Sequence, residues 1–285
     1  MKVLLSCQFY TPSVGGVQEV IRQIAERLVS RGHQITVATS SLAERDFTVH
    51  NGVIIKAFDV SGNRVSGMTG EVEDYQQYVL DGAFDAVLIY AAQQWTFDAL
   101  WPILDGLTTP IVFIPCGFSG LYEKGYRQYF QELPDILRKF DSLVFNATKY
   151  RDIDFARKYK IDNYTIIPND ASESEFNVPS DPTFRKRYDI PEQSFLFLTV
   201  GSFTGMKGHQ ELVNAFDRMN LPSDQLATLI LNGNEVLRIE KGMVDLAKKF
   251  FGLVKIHGLF YSLRQVLKKI IGSSSSPRSV AESIN

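Results

Sequence analysis

Cysteine, histidine and tryptophan are scarce in this sequence, and long apolar runs are missing. Its 285 residues include two cysteines, four histidines and two tryptophans. Two cysteines without a CxxC motif or a Cys/His cluster give no basis for a structural metal site or a disulfide scaffold, so a reducing compartment such as the cytoplasm is expected. No run of about 18 apolar residues occurs, and no membrane-spanning helix is therefore predicted.

A strong excess of either charge is also missing. The chain carries 30 Lys and Arg against 32 Asp and Glu, for a formal net charge of −2. Nucleic-acid-binding domains usually carry a basic excess, so no nucleic-acid partner is expected. Hydrophobic residues make up 45% of the chain, which is a globular composition with room for one large domain or two modest ones.

The sequence does contain a repeated alternation of strand and helix patterns. An apolar run at residues 3–5 is followed by a glycine loop, an amphipathic helix over 17–29 and a strand at 35–38. This βαβ unit requires parallel pairing and a right-handed crossover. The Asn51-Gly52 pair predicts a hairpin within 47–58, and the Gly- and Ser-rich residues 61–70 predict a loop. Further strands are predicted at 86–90, 111–115, 143–145 and 164–167, with helices at 95–104, 128–140 and 149–159. The pattern is typical of a doubly wound α/β domain.

The domain boundary is predicted at residues 177–191, which contain three prolines and several charges. The N-terminal domain then covers 1–176, a second α/β domain covers 192–271, and a serine-rich tail at 272–285 is expected to be disordered. In the second domain, strands are predicted at 195–200, 226–231 and 253–256, and helices at 208–219, 235–251 and 259–271. Three strands are fewer than the five or six of a typical nucleotide-binding sheet, so this domain is predicted to be incomplete.

Each domain has a glycine-rich loop between its first strand and first helix. The loops contain Gly15 and Gly16 in the first domain, and Gly201, Lys207 and Gly208 in the second. Such loops bring backbone N–H groups and a helix N-terminus to a phosphate. The Gly15-Gly16 pair is equally explained by a tight turn that needs positive φ, and Lys207 by a solvated lysine. Neither loop has the GxGxxG fingerprint, which disfavours an NAD-type oxidoreductase.

Four segments, in order from Gly15 to Phe216, resemble the family-4-like, retaining glycosyltransferases of the GT-B class. The matching segments are Gly15-Gly16-Val17-Gln18-Glu19 with Arg31-Gly32-His33-Gln34-Ile35-Thr36-Val37, Ile167-Pro168-Asn169-Asp170-Ala171-Ser172 with Phe176, Leu198-Thr199-Val200-Gly201-Ser202 with Lys207-Gly208, and the helix from His209 to Phe216.

The resemblance implies an α/β GT-B fold of two facing Rossmann-like domains. It implies a nucleotide-sugar donor, a saccharide or lipid-linked acceptor, and sugar transfer with retention of configuration and without a metal or other cofactor. Lys207 is the implied catalytic residue at the donor diphosphate, and Gly15, Gly16, Ser202 and Gly208 are the other implied diphosphate contacts. The implied setting is polysaccharide biosynthesis in the cytoplasm, with peripheral contact at the inner face of the membrane.

The chain also departs from the family pattern. Ser202 replaces an arginine, Asp170 a glycine and Ser172 an aspartate, and Cys116 stands where many relatives carry a histidine that contacts the sugar. The family's two glutamates, seven residues apart, have no counterpart after Lys207. We therefore expect weak or no donor binding by this chain alone. The alternative is a non-catalytic α/β binding or partner protein derived from such an enzyme. An incomplete sheet would also leave an edge strand available for self-association.

Several residues after predicted strands are candidate sugar or acceptor contacts, namely Gln94, Trp95, Cys116 and Gly117. The favoured alternatives are that Trp95 packs against the following helix and that Cys116 is a small, partly buried residue. A polar aromatic cluster follows, consisting of Tyr122, Lys124, Tyr126, Arg127 and Tyr129. It is interpreted as an ordinary mobile loop in preference to a surface for an acceptor or an anionic lipid.

Overall fold

The computed structural model divides the chain into two compact units, Met1–Phe176 and Asn177–Asn285. The structure describes residues 1–203, 205, 207–222 and 224–233. The strand predicted at 253–256, the helices predicted at 235–251 and 259–271, and the predicted tail at 272–285 lie outside the described residues.

The first unit contains ten strands and six α-helices. The strands are β1 (Lys2–Ser6), β2 (Gln34–Ser40), β3 (Val49–His50), β4 (Val53–Phe58), β5 (Val60–Asn63), β6 (Gly67–Gly70), β7 (Ala86–Tyr90), β8 (Ile111–Ile114), β9 (Ser142–Phe145) and β10 (Tyr164–Ile166). The helices are α1 (Gly16–Ser30), α2 (Val72–Asp81), α3 (Trp95–Asp98), α4 (Arg127–Leu137), α5 (Arg151–Lys158) and α6 (Glu173–Phe176), with 3₁₀ helices at Trp101–Gly106 and Lys124–Tyr126.

Eight of these strands form one sheet in the order β10-β9-β8-β7-β1-β2-β4-β3. All neighbouring strands pair in parallel except β3 and β4, which form the predicted hairpin. From β1 the chain continues to β2, which pairs with β1 on one side, and β7 pairs with β1 on its other side. The strand order therefore reverses between β1 and β7, and in open α/β sheets ligands bind at such a switch point, beyond the carboxyl ends of the strands.

Both faces of the sheet are covered, which explains why its strands are apolar at nearly every position. On one face, Ile21 and Ala25 of α1 pack with Val3, Leu5 and other strand residues. On the other face, α3, α4 and α5 pack on an aromatic-rich core. The doubly wound α/β architecture predicted for residues 1–176 is observed.

The structure corrects the prediction of a loop at residues 61–70, where β5 and β6 pair as an antiparallel hairpin. Glycine is required there because a Cβ atom on Gly62 or Gly70 would overlap the backbone of the opposite strand. Helix α2, which the sequence analysis missed, buries Tyr75 and Val79. The helix predicted at 95–104 is shorter, because α3 ends at Asp98 and a 3₁₀ helix with proline near its start follows.

In the second unit, α7 (Phe184–Arg187) precedes β11 (Phe195–Val200), α8 (His209–Asp217) and β12 (Ala227–Asn232). Strands β11 and β12 pair in parallel from Phe195 opposite Ala227 to Val200 opposite Asn232. The connection through α8 makes this a βαβ unit, as predicted from the sequence.

Candidate functional site

The carboxyl edge of the large sheet brings together loops from distant parts of the first unit. Strands β1 and β7 end at Ser6 and Tyr90, on either side of the switch point. Across it, the backbone N–H of Gln8 donates a 3.3 Å hydrogen bond to Oε1 of Gln94. The structure therefore places Gln94 at the edge where a doubly wound sheet takes its ligand.

Three residues next to this edge have left-handed backbone conformations although none is a glycine. The φ angles are 73° at Ala91 and 62° at Gln93, after β7, and 56° at Cys116, after β8. Each such residue costs on the order of 1–3 kcal/mol, and strain of this kind concentrates at binding and catalytic sites. Cys116 was a candidate contact from the sequence, but no feature of the sequence indicated a left-handed backbone at these three positions.

Gln93 connects three separate segments at this edge. Its backbone N–H donates to the hydroxyl of Tyr129 at 3.1 Å, and its carbonyl accepts from Nδ2 of Asn63 at 3.4 Å. Its side-chain Oε1 accepts from the N–H of Gly120 at 3.2 Å and from Oγ of Ser119 at 3.3 Å. The sequence analysis did not single out Gln93, because its partners lie 26 to 36 residues away along the chain.

A buried carboxyl group lies behind Gln93. Asp98 is fully buried, and its two oxygens accept hydrogen bonds from the hydroxyl of Tyr129 at 2.8 Å and from the N–H of Arg64 at 3.0 Å. Burial disfavours the charged carboxylate and raises the pKa of Asp98 to about 6, although both hydrogen bonds act in the opposite direction. Through Tyr129, this titrating group is linked to the backbone of Gln93.

The structure does not place Trp95 on the surface as a candidate sugar contact. Its side chain is fully buried, and its indole N–H donates to Oγ of Ser40 at 2.8 Å. The Trp95 ring also packs edge-on against Tyr75, with ring centroids 5.0 Å apart. Its position is that of a core residue, as in the alternative of a packing role. Trp95 starts a short helix beneath the loop, and the neighbouring side chains enclose it there.

Cys116 and Gly117 occupy the loop after β8, the strand that pairs with β7. Cys116 is exposed, and is thus less covered than the partly buried residue expected from sequence. Gly117 has φ of 81°, and a Cβ atom there would lie 2.8 Å from the Tyr150 ring. The Gly117 N–H already donates to Oδ2 of Asp152 at 2.8 Å, so this N–H is not free for a sugar hydroxyl.

The segment that resembles the family's Ile-Pro-Asn motif also ends at this edge. Nδ2 of Asn146, after β9, donates to Oδ1 of Asn169 and to the carbonyl of Ile167, both at 3.1 Å. At the two divergent positions, Asp170 accepts from the N–H of Ala171 at 2.8 Å, and the carbonyl of Ser172 accepts from the N–H of Glu175 at 3.0 Å. The substituted side chain at 170 is therefore used locally to stabilise the turn.

The Gly15-Gly16 pair forms the start of α1. Gly15 has an extended backbone at φ of −179°, no side chain caps the helix, and no atom lies within 4 Å of a Cβ built on Gly16. Neither glycine has the positive φ that the tight-turn alternative requires. The first N–H groups of a helix lack intrahelical partners and favour an anion, so Gly16 is compatible with close approach of a phosphate.

The glycine loop of the second unit leads directly into α8. Gly205 and Gly208 have positive φ angles of 83° and 69°, so this loop does need glycine for its conformation. Lys207 is exposed. Its Cγ would lie 3.3 Å from a Cβ on Gly201, so the aliphatic part of the lysine side chain lies against that glycine. Within the described ranges, Lys207 forms no ion pair. Ser202, the residue in place of the family's arginine, is half-buried in the same loop.

His209, the first residue of α8, was not singled out from the sequence. Among the described residues, its two ring nitrogens are buried without a hydrogen-bond partner, and its ring packs against Phe203 with centroids 4.9 Å apart. A Cβ on Gly201 would lie 3.7 Å from Cε1 of the same ring. Unsatisfied buried polar atoms are uncommon in native proteins, so His209 joins Lys207 as a candidate donor-side residue.

Two further features concern metals and membranes. Among the residues that the structure describes, no group of three His, Cys, Asp or Glu side chains could hold a metal ion. In the same part of the chain, no helix has both the length and the apolar character needed to cross a bilayer.

No protein-family model matches the sequence, and no curated protein matches it with significance. Solved structures do match. A sucrose-phosphate synthase from Thermosynechococcus elongatus aligns with a TM-score of 0.64 at 14% identity, over 90% of this chain and 68% of its own. Anabaena HepE, solved with UDP and glucose, aligns with a TM-score of 0.59 at 18% identity, over 91% of this chain and 67% of its own. WaaG, a glycosyltransferase of lipopolysaccharide biosynthesis, aligns with a TM-score of 0.56 at 18% identity, over 90% of this chain and 67% of its own.

These alignments confirm the predicted fold class. The chain has the fold of the GT-B glycosyltransferases, and it spans about two thirds of the length of these structures. At such low identities the similarity establishes the fold, whereas function depends on the site.

Proposed function

We propose that the chain belongs to an enzyme that transfers a sugar from a nucleotide-sugar donor to a saccharide or lipid-linked acceptor, with retention of configuration. The observation that carries the proposal is a GT-B fold whose second unit presents an exposed lysine, Lys207, in a glycine loop at the start of α8, without an ion pair to any described residue. HepE, which shares the fold, was solved with UDP and glucose, and this supports a nucleotide-sugar donor.

The chemistry that this loop offers is stabilisation of a leaving diphosphate. In sugar transfer from a nucleotide-sugar, negative charge develops on the diphosphate as the glycosidic bond breaks, and fixed cations and N–H groups aimed at it lower the barrier. Lys207 supplies the cation, Gly208 allows the backbone to turn into α8, and Ser202 adds a hydroxyl. In the first unit, the uncapped start of α1 at Gly16 offers N–H groups that are also suited to an anion.

The acceptor is proposed to bind at the carboxyl edge of the first sheet. Gln94 provides an amide there, and Cys116 lies exposed in the loop after the neighbouring strand β8. Gln93 fixes the surrounding loops through its hydrogen bonds, so these groups are held in place before an acceptor arrives. Preorganised polar groups of this kind position a substrate at little entropic cost.

Donor binding and product configuration test the proposal separately. Titration calorimetry with UDP, UDP-glucose and ADP-glucose should detect weak binding of a nucleotide diphosphate or its sugar ester. If none of the three binds, the alternative of a non-catalytic α/β partner protein is favoured. Where turnover is observed, NMR of the first-formed product should show the anomeric configuration of the donor, and an inverted product would exclude retention. We expect EDTA to leave the rate unchanged.

A further inference from the structure

Asp98, the last residue of α3, is a buried acid that sugar transfer at the surface does not use directly. Its carboxyl group is fully buried, and among the described residues it forms no ion pair. Burying a carboxyl group costs free energy unless hydrogen bonds compensate for it. Both oxygens of Asp98 are used in this way, and they reach two different segments of the chain. An apolar side chain would fill the same space at a lower cost, so packing alone does not account for the acid.

The first segment that Asp98 reaches is helix α4. Oδ1 of Asp98 accepts the hydroxyl proton of Tyr129 at 2.8 Å. A tyrosine hydroxyl has one proton to donate, so its oxygen remains available as an acceptor, and it accepts the backbone N–H of Gln93 at 3.1 Å. The Tyr129 ring is held by packing, with its centroid 4.8 Å from that of Trp101, and is not part of a mobile loop as the sequence suggested. Asp98 therefore fixes the direction in which Tyr129 presents its oxygen to Gln93.

The second segment is the tip of the hairpin formed by β5 and β6. Oδ2 of Asp98 accepts the backbone N–H of Arg64 at 3.0 Å. The preceding residue, Asn63, donates from Nδ2 to the carbonyl of Gln93 at 3.4 Å. The Arg64 guanidinium also pairs with Glu132 of α4 at 2.8 Å, so the hairpin tip is held on that helix. Asp98 is thus linked to the N–H of Gln93 through α4 and to the carbonyl of Gln93 through the hairpin.

These contacts converge on the β7 loop, residues 91–94, where the backbone is strained. The φ of Gln93 is 62°, a left-handed conformation that costs a residue other than glycine on the order of 1–3 kcal/mol. The next residue is Gln94, the candidate acceptor contact, whose Oε1 accepts the N–H of Gln8. Because Gln94 directly follows the strained residue, the backbone of Gln93 determines where the Gln94 amide points. Hydrogen bonds on both sides of Gln93 therefore fix the geometry of the acceptor edge.

We propose that Asp98 is a positioning residue for acceptor binding, which acts through Tyr129 and the hairpin tip to hold the β7 loop and the Gln94 amide in place. The role rests on the acceptor edge given under the proposed function. Asp98 is fully buried, so it does not touch the acceptor itself. Loss of its links should weaken binding of a saccharide at this edge and leave the nucleotide contacts of the glycine loop at Lys207 unchanged.

Amide hydrogen exchange tests the positioning on the full chain without any ligand. Tyr129→Phe removes the hydroxyl and keeps the ring, so the Gln93 N–H loses its acceptor. Exchange at Gln93, measured by NMR, should become about tenfold faster, as expected for the loss of one hydrogen bond. Exchange at Gly120 should also become faster, because its N–H donates to the Gln93 side chain. Unchanged exchange at Gln93 would overturn the proposal.

Tyr75→Phe is the matched control for the loss of a buried hydroxyl. Tyr75 is fully buried, and its hydroxyl also has two partners, Oγ of Ser6 and the carbonyl of Thr96. Urea unfolding should show a similar loss of stability in the two tyrosine variants, whereas exchange at Gln93 should be faster in Tyr129→Phe alone. Equal acceleration in both variants would mean that the effect is a general loss of stability, and the positioning role would be rejected.

Asp98→Asn tests the acid itself. The single oxygen of asparagine can replace only one of the two carboxylate acceptors, so one of the two links is lost. Exchange should become faster at Arg64, at Gln93 or at both, since these N–H groups lie at the ends of the two links. If exchange at both residues matches that of the wild type, Asp98 does not hold the loop.

Saccharide binding then tests the role of the held loop. Maltose, cellobiose and glucose 6-phosphate are titrated while NMR follows the side-chain amide of Gln94. The Kd of a saccharide that binds the wild type should rise about tenfold in Tyr129→Phe, and should stay at the wild-type value in Tyr75→Phe. The Kd for UDP should be the same in all three proteins. Equal saccharide affinity in Tyr129→Phe and wild type would overturn the positioning role alone. If no saccharide shifts the Gln94 amide of the wild type, the acceptor edge is itself wrong, and the role of Asp98 in acceptor binding falls with it.

Discussion

The hydroxyl of Tyr129 donates a 2.8 Å hydrogen bond to Oδ1 of Asp98, and both side chains are buried. The same hydroxyl accepts the N–H of Gln93, whose φ is positive. The buried carboxyl group of Asp98 thus positions Tyr129, and Tyr129 in turn positions the strained loop at the carboxyl edge. This arrangement makes the protonation state of Asp98 measurable in the stability of the fold.

We predict that Asp98→Asn removes a specific pH dependence of stability. The pKa of Asp98 is raised from an ordinary 3.8 to about 6, so the native state binds the proton more tightly than the unfolded state. The contribution of Asp98 to the free energy of unfolding is therefore greatest below about pH 4 and falls as the pH rises to about 6, by at most about 1.4 kcal/mol per unit. Asparagine resembles the protonated acid because it carries no charge at any pH in this range, and its oxygen can still accept one of the two hydrogen bonds.

Urea unfolding between pH 4 and 7 checks this prediction. The difference in unfolding free energy between wild type and Asp98→Asn should change in favour of the variant as the pH rises, and should then level off above about pH 6 to 7. A difference for Asp98→Asn that stays constant across this pH range would contradict the raised pKa of Asp98.

The sequence predicted the regular elements of the first unit well because their signals are local. Apolar residues at three- and four-residue spacing marked α1, and Asn51-Gly52 marked a turn in which both residues have positive φ. The hairpin of β5 and β6 was missed because Gly62 and Gly70 suggested a loop, whereas they permit close strand pairing. Composition does not distinguish these two uses of glycine.

The candidate site was less predictable because its key relationships are long-range. The position of Gln94 followed from strand order, but the role of Gln93 depends on contacts to Asn63, Gly120 and Tyr129 that no local pattern reveals. The burial of Trp95 likewise depends on Ser40 and Tyr75, which approach it only in the folded sheet.

We predict that Gly16→Val impairs donor binding while the fold survives. Gly16 has no positive φ, and among the described residues no atom outside its chain neighbours and the helix's own backbone lies within 4 Å of a Cβ there, so the substitution meets no obstacle from the described fold. A phosphate approaching the start of α1 would meet the valine side chain. Circular dichroism should be unchanged, and calorimetry should show weaker nucleotide binding.

Gly117→Val is the contrasting variant. Gly117 has φ of 81°, and its Cβ would lie 2.8 Å from the Tyr150 ring, so this substitution should lower the melting temperature. If Gly16→Val also unfolds the protein, the glycine is needed for the fold, and its proposed role at a phosphate loses support.

We predict that, in a form of the enzyme that turns over, Lys207→Ala lowers kcat by roughly 10²–10³, the effect of removing one preorganised group that stabilises developing charge. Lys186→Ala is the matched control, since Lys186 is an exposed lysine of α7 in the same unit. Its turnover should equal that of the wild type. An unchanged rate in Lys207→Ala would exclude the lysine from the reaction and leave His209 as the remaining titratable candidate at the loop.

The last prediction concerns the support beneath the donor loop. Gly233 follows β12, and a Cβ atom there would overlap the carbonyl oxygen of Gly201. The N–H of Gly201 donates to the carbonyl of Asn232 at 2.8 Å, so the segments after β11 and β12 run close together where the glycine loop begins. The added methyl group of Gly233→Ala must push Gly201 away. This displaces the backbone against which the Lys207 side chain lies. We expect a loss of about 1–3 kcal/mol in unfolding free energy, as for other overpacked sites, together with weaker nucleotide binding.

Gly205→Ala separates displacement of the loop from a general loss of stability. Gly205 has φ of 83° but no atom within 4 Å of its Cβ position, so alanine there adds backbone strain without pushing on Gly201. Urea unfolding should show both variants destabilised, whereas calorimetry with UDP should show reduced affinity mainly for Gly233→Ala. Because the two substitutions add the same methyl group, equal affinities would mean that the position of Gly201 does not control nucleotide binding.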